Sequence, residues 1–188
     1  PVTVIVGGER HAAVDRALRY LGFGTAGVVE LAVDDQGALV PTDLARVLGD
    51  ADGGPAIVCT QAGNVNTGAG DPMSDIGPRA HAAGAWVHVD GAFGLWARAV
   101  PALRHLTAGV EGADSWVTDG HKWLQVPYDC GFAIVRDRTL HQRAMTQWSS
   151  YLPTIGEGDR VPSAFVPELS RRARGVPVDY LVKDDEGH

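Results

Sequence analysis

The sequence predicts an α/β fold built on a mostly parallel sheet with flanking helices. Three observations carry that expectation. Short runs rich in valine and isoleucine recur along the chain, segments with apolar residues at helical spacing separate them, and glycine, proline or aspartate marks most junctions. Strands of a parallel sheet are buried on both faces, so they read as brief continuous apolar runs, and each needs a crossover before the next.

Residues 2–6 (Val-Thr-Val-Ile-Val) are β-branched and stop at Gly7-Gly8, as a buried strand would. A helix is predicted over 9–21, where Val14, Ala17, Leu18 and Leu21 share a face and Gly22 closes the segment; His11 then falls in its first turn. Residues 28–33 read as a strand, 34–37 as a turn, and 41–48 as a helix with Pro41 at its start. The run 56–60 is another strand. Residues 61–70 (Gln-Ala-Gly-Asn-Val-Asn-Thr-Gly-Ala-Gly) form a glycine-rich loop with amides and a hydroxyl, which suits either a ligand loop or a plain connector. A helix follows from Asp71-Pro72 to Gly84, with Gly77-Pro78 a place for a kink, and then a strand over 85–90 that ends on Asp90. A helical stretch broken by Pro101, strands over 115–118 and 131–135, and a helix over 140–151 complete the pattern. Residues 153–167 read as a mobile loop, and 178–188 are assigned little structure.

At 188 residues the chain is within the range of one domain, and 45% hydrophobic with 21% charged residues is an ordinary globular composition. A formal net charge of -7, with basic residues clustered only at Arg171, Arg172 and Arg174, argues against a nucleic-acid partner. No apolar run is long enough for a membrane-crossing helix, so a soluble, cytoplasmic protein is expected. Cys59 and Cys130 lack metal-like spacing and are expected to be reduced and buried.

Lys122 is the residue that most needs explaining. Lys122 and Lys183 are the chain's two lysines, against a majority of arginines, and Lys122 stands beside His121 in apolar, glycine-bearing sequence. An amine can lose its proton in an apolar pocket and attack a carbonyl, which a guanidinium cannot. The ordinary alternative is a lysine with a buried stem and a solvated head. Asp90 has two readings as well. It either caps the segment that follows or holds a proton on a heteroaromatic nitrogen. Ligands of parallel sheets gather at the carboxyl ends of the strands, where the 61–70 loop, Asp90 and the 118–123 turn would meet. A metal hydrolase built from His88, Asp90 and His121 is the weakest reading, because it leaves Lys122 unexplained, and no metal is expected.

His-Val-Asp-Gly-Ala at 88–92, followed by Asp-Ser-Trp at 114–116 and His-Lys-Trp at 121–123, resembles the group II amino-acid decarboxylases. These are pyridoxal-phosphate enzymes of the aspartate aminotransferase-like fold, fold type I. The resemblance runs from about Val2 to about Val178. It implies that residues 1–152 are part of the cofactor-binding large domain, with 153–178 a mobile loop and following segment and 179–188 an acidic tail. The family's phosphate-cradling segment would precede Pro1 and its small C-terminal domain would follow Val178, so the chain reads as an incomplete large domain.

The resemblance also implies roles. Lys122 matches the lysine that forms the internal aldimine with pyridoxal 5'-phosphate, and Asp90 the carboxylate paired with the pyridine nitrogen. His11 matches the histidine stacked on the ring and Ala92 the small residue on the opposite face. His121 matches a residue touching the phosphate, and Tyr151 the loop tyrosine that helps to return a proton to the substrate carbon. Thr67 stands near the place of a threonine pair, and Asp119 stands where the family often has asparagine. The implied reaction is decarboxylation of an L-amino acid to an amine by a cytoplasmic homodimer. The alternatives are a non-catalytic partial domain of the same fold, or another fold type I lyase or an aminotransferase.

Overall fold

The computed structural model of the protein describes residues 2–50, 53–147 and 161–182. The chain divides into two compact units, Pro1–Ile134 and Val135–His188.

The first unit is organised by a sheet with strands β1 (Thr3–Gly7), β2 (Val28–Leu31), β3 (Ala56–Gln61), β4 (Trp86–Asp90), β5 (Ser115–Asp119) and β6 (Gly131–Val135). Their spatial order is β2-β1-β3-β4-β5-β6, and the pairs β1–β2, β1–β3, β3–β4 and β4–β5 are all parallel. The predicted parallel α/β architecture is therefore present. The chain first winds outward from β1 to β2, then returns past β1 to build β3 to β6. The reversal falls between β1 and β3, and the loops leaving those strands diverge at the edge where ligands of such sheets bind.

Side-chain alternation sends each strand's apolar residues to two separate layers. Ile5, Val58, Val87 and Val89 join Leu39, Leu44, Val47, Met73 and Ile76 in the larger core, under α2 (Leu44–Asp50) and α3 (Met73–Ala82). Val4 and Val6 face the other way and pack with Leu18 of α1 (Ala12–Tyr20), with Val14 and Cys59 alongside. Cys130 is buried and Cys59 only partly so; both are free thiols.

Most predicted elements lie within two residues of their expected bounds, and the differences have local causes. Helix α1 starts at Ala12, because the His11 ring caps it through Nδ1, which accepts the Ala13 N–H at 3.2 Å. β2 is shorter than predicted, and Val33 pairs with Leu39 across the 34–37 turn, where Asp34 Oδ1 accepts the N–H groups of Gln36 and Ala38 at 2.9 Å. Helix α3 runs through Pro78. The stretch after Gly94 is three 3-10 turns, Gly94–Ala99, Pro101–Thr107 and Val110–Gly112, in place of a helix.

In the second unit α5 spans Arg138–Met145, starting two residues before its predicted bound because Asp137 Oδ1 accepts the N–H groups of Thr139 and Leu140, and ending at extended Thr146, short of the predicted end at 151. The His141 ring meets Phe165 edge-on at 5.3 Å, and Phe165 closes a 3-10 turn, Pro162–Phe165, inside the stretch predicted as a mobile loop. The expectation of little structure after Val178 is corrected by α6 (Gly175–Val182), where Pro177 falls in the first turn, a position that tolerates its missing N–H. No described helix is long and apolar enough to cross a membrane.

Candidate active site

The carboxyl ends of β3, β4 and β5 lie side by side. Gln61 pairs with Asp90, and Asp90 with Val117, two residues before Asp119. Paired residues of parallel strands point to the same face, so Gln61, Asp90 and Asp119 share the face that α1 covers at the β1 side. His11 belongs to the same edge, since it stands four residues after β1 at the start of α1.

Lys122 lies in α4 (Gly120–Trp123), a single turn entered directly from β5. The tightness of that entry depends on Gly120, where a Cβ would come within 2.9 Å of the Phe132 ring and 3.0 Å of Cys130 Sγ. Lys122 Nζ is 2.8 Å from Asp119 Oδ2 and 4.2 Å from the centroid of the Phe93 ring, with about a quarter of the lysine side chain exposed. The head is therefore neither solvated nor buried bare.

His121 turns away from the lysine. Its Nδ1 lies 2.7 Å from the Cys130 carbonyl oxygen and 3.0 Å from the Cys130 N–H, so it donates to one or accepts from the other according to tautomer. Its ring rests on Tyr128 at 4.0 Å, and its Nε2 is 3.8 Å from Asp119 Oδ2.

Asp90 is partly buried. Its Oδ1 accepts the Ala92 N–H at 3.1 Å, the local turn contact expected of a strand-ending aspartate. That leaves Oδ2 able to take a donor that arrives at the edge of the sheet. Upstream on β4, His88 Nδ1 and Trp86 Nε1 both reach Ser115 Oγ at 2.8 Å. Burial lowers the His88 pKa, against a smaller opposing pull from Asp90. Cys59 is partly exposed as a residue, yet desolvation of its thiol, with the Asp90 carboxylate close by, pushes the thiol up to about 12.

The glycine-rich loop is a built connector. Ala62 bridges Gly70, and Asn64 Oδ1 accepts the N–H groups of Asn66 and Thr67. Gln61 Nε2 and Asn64 Nδ2 both donate to the Glu9 carbonyl, tying the loops after β1 and β3 together across the switch point. Thr67 is exposed and donates its hydroxyl to Gln36 O at 2.6 Å.

The structure thus brings Lys122, Asp119 and His121 together, sets Asp90 and Ala92 at the next strand end, and puts His11 on the same edge beyond β3. Thr67 is directed to the 34–37 turn, and Tyr151 lies outside the described residues. Two contributors were not assigned a role from sequence. Phe93 lies under the amine, and its place three residues after Asp90 was the available signal. Asp71 was read as a helix start; it is buried and locks the loop to β3 and Leu39, accepting the Gln61 and Leu39 N–H groups at 2.6 and 2.7 Å.

The open parallel sheet, with an amine and a carboxylate at adjacent strand ends, is part of a large domain of the aspartate aminotransferase-like fold, fold type I, the fold its solved structural neighbours share. Within that class the chain belongs to the family described as "Pyridoxal-dependent decarboxylase conserved domain", whose profile matches residues 2–174. The chain is 32% identical over 156 residues to cysteine sulfinic acid decarboxylase of Mus musculus, covering 81% of this chain and 32% of the relative. To the aromatic-L-amino-acid decarboxylase of Bacillus atrophaeus it is 30% identical over 176 residues, covering 90% and 37%. Among solved structures, Oryza sativa TDC with PLP and tryptamine superposes with a TM-score of 0.86 at 28% identity, over 96% of this chain and 38% of the other. Mouse CSAD gives 0.82 at 28% identity with the same coverage. The chain spans about a third of the length of the curated relatives it matches.

Proposed function

We propose that this chain carries the lysine of a pyridoxal-phosphate-dependent decarboxylase, which converts an L-amino acid to an amine and carbon dioxide. The observation that carries the reading is the placement of Lys122 just past the end of β5 and of Asp90 at the end of parallel β4, next to it. A primary amine and a carboxylate with an available oxygen match the two demands of the cofactor, a carbonyl to be held covalently and a ring nitrogen to be kept protonated.

The fit is good at the ring end. Lys122 would hold the carbonyl carbon, and Asp90 Oδ2 would accept the ring N–H while Oδ1 stays fixed by the Ala92 N–H. Ala92 leaves room for one ring face and His11 is proposed for the other. His121 and Thr67 are proposed for the phosphate end, where the Thr67 hydroxyl would first release the Gln36 carbonyl, and Asp119 stands beside that end with its carboxylate taken by Lys122. When bound, pyridoxal phosphate supplies a sink for the electron pair left by the departing carboxylate. The chain's own work is to present the amine, to keep a proton on the ring nitrogen through Asp90, and to return a proton to the substrate carbon, which is proposed for Tyr151. The Phe93 ring shields the amine from water on one side. For the whole protein the reading carries a small-molecule amino-acid substrate, a cytoplasmic location and assembly as a homodimer.

Borohydride reduction after addition of pyridoxal 5'-phosphate, followed by peptide mass mapping, tests the assignment. A pyridoxyl mark on Lys122 that Lys122→Ala removes is the expected result; a mark confined to Lys183 refutes it. Product analysis over an amino-acid panel then separates decarboxylation, which releases carbon dioxide, from amino transfer, which does not.

A further inference from the structure

Asp119 stands at the position that caps α4, where an aspartate ordinarily accepts a backbone N–H. Its side chain makes no such bond. Oδ2 lies against Lys122 Nζ instead, at 2.8 Å, and Oδ1 is seated over Gly131, where even a Cβ would come to 3.4 Å. The Phe93 ring takes the lysine head from another side. The carboxylate holds the head by Coulomb attraction and the ring meets it with its electron-rich face. A lysine attacks a carbonyl only as the neutral amine.

We infer that Asp119 is a positioning residue that, with Phe93, holds the Lys122 head in an ion-paired resting position, so that covalent use of the lysine requires this pair to open. The identity of the carbonyl partner rests on the proposed function; the ion pair does not. Capture of an aldehyde forms a carbon–nitrogen double bond and expels the carbonyl oxygen as water. Two of the three ammonium protons leave with that oxygen and the third passes to solvent. The charged groups around the amine are Asp119, His121 with Nε2 at 3.8 Å from the same carboxylate oxygen, and Asp90 at the neighbouring strand end.

Competitive acetylation of the cofactor-free chain by acetic anhydride reads amine availability directly, with Lys183 as internal reference. At pH 7.5 the ratio of Lys122 to Lys183 labelling is expected to rise about 1.5-fold to fivefold in Asp119→Asn, the range of a partly exposed ion pair. A smaller rise is expected in Phe93→Leu, whose circular dichroism checks folding alongside. The difference should narrow as pH rises past the ordinary lysine value of about 10.4, a dependence that a merely structural role would not produce. Ratios unchanged from the unsubstituted chain in both variants overturn the inference. Borohydride trapping with pyridoxal 5'-phosphate separates the two claims. A changed acetylation ratio with no mark on Lys122 in any variant upholds the ion pair and removes the proposed function, whereas a Lys122 mark with unchanged ratios does the reverse.

Discussion

Replacing Asp71 by alanine should cost this domain much of its stability. Asp71 is 6% exposed, and its two carboxylate oxygens accept the N–H groups of Leu39 and Gln61, residues that are remote from each other in sequence. Alanine leaves both donors buried without an acceptor, at about 1–3 kcal/mol each, or about 2–6 kcal/mol together. For a chain of this length the thermal midpoint would fall by roughly 5–20 °C. Thermal and urea unfolding followed by circular dichroism measures it. The carboxyl's pKa is raised, because burial outweighs the lowering effect of the two backbone donors. The native state therefore holds the proton more tightly than the unfolded chain does. This linkage contribution is full below the unfolded carboxylate value of about 3.9 and is lost as pH rises through the folded one. A loss below about 1 kcal/mol in Asp71→Ala, or a contribution that instead grows across that window, would refute the reasoning.

Further outcomes follow from other contacts. Gly94→Ala would put a Cβ 2.2 Å from the Ala62 carbonyl oxygen, so a loss of about 1–3 kcal/mol or more is expected in urea unfolding. On the proposed function, Asp90→Asn should retain a borohydride-trappable mark on Lys122 while decarboxylation falls about 10²–10⁴-fold in steady-state assays. His88 has a lowered pKa, so the stability it contributes is full above the unfolded value of about 6.5 and is lost as pH falls through the folded one. His88→Gln should flatten the slope of unfolding free energy against pH below that value.

The strands were legible because a parallel sheet demands short β-branched runs, and residues 2–6, 56–60 and 85–90 supply them. Helix starts were less so. His11 belongs to a residue type seldom expected to cap, and only the folded turn shows Nδ1 meeting the Ala13 N–H. In the candidate site, the sequence order already suggested Asp90 and Lys122, which the fold sets at adjacent strand ends. The contact of Lys122 with Asp119 was hidden because an aspartate before a one-turn helix reads first as a cap. The 61–70 loop stayed ambiguous between ligand loop and connector, since its anchors at Glu9, Gln36 and Asp71 depend on how β1, β2 and β3 pair.

The two amides that meet at the Glu9 carbonyl make an asymmetric demand on inheritance. The shared acceptor is a main-chain oxygen, which almost any amino acid at position 9 would provide, whereas Gln61 and Asn64 must each keep a donor of fixed reach. Drift at position 9 is therefore invisible to this junction, while a change at 61 or 64 loosens the seam between the first and third strand loops. The stitch is written on one side of the seam only.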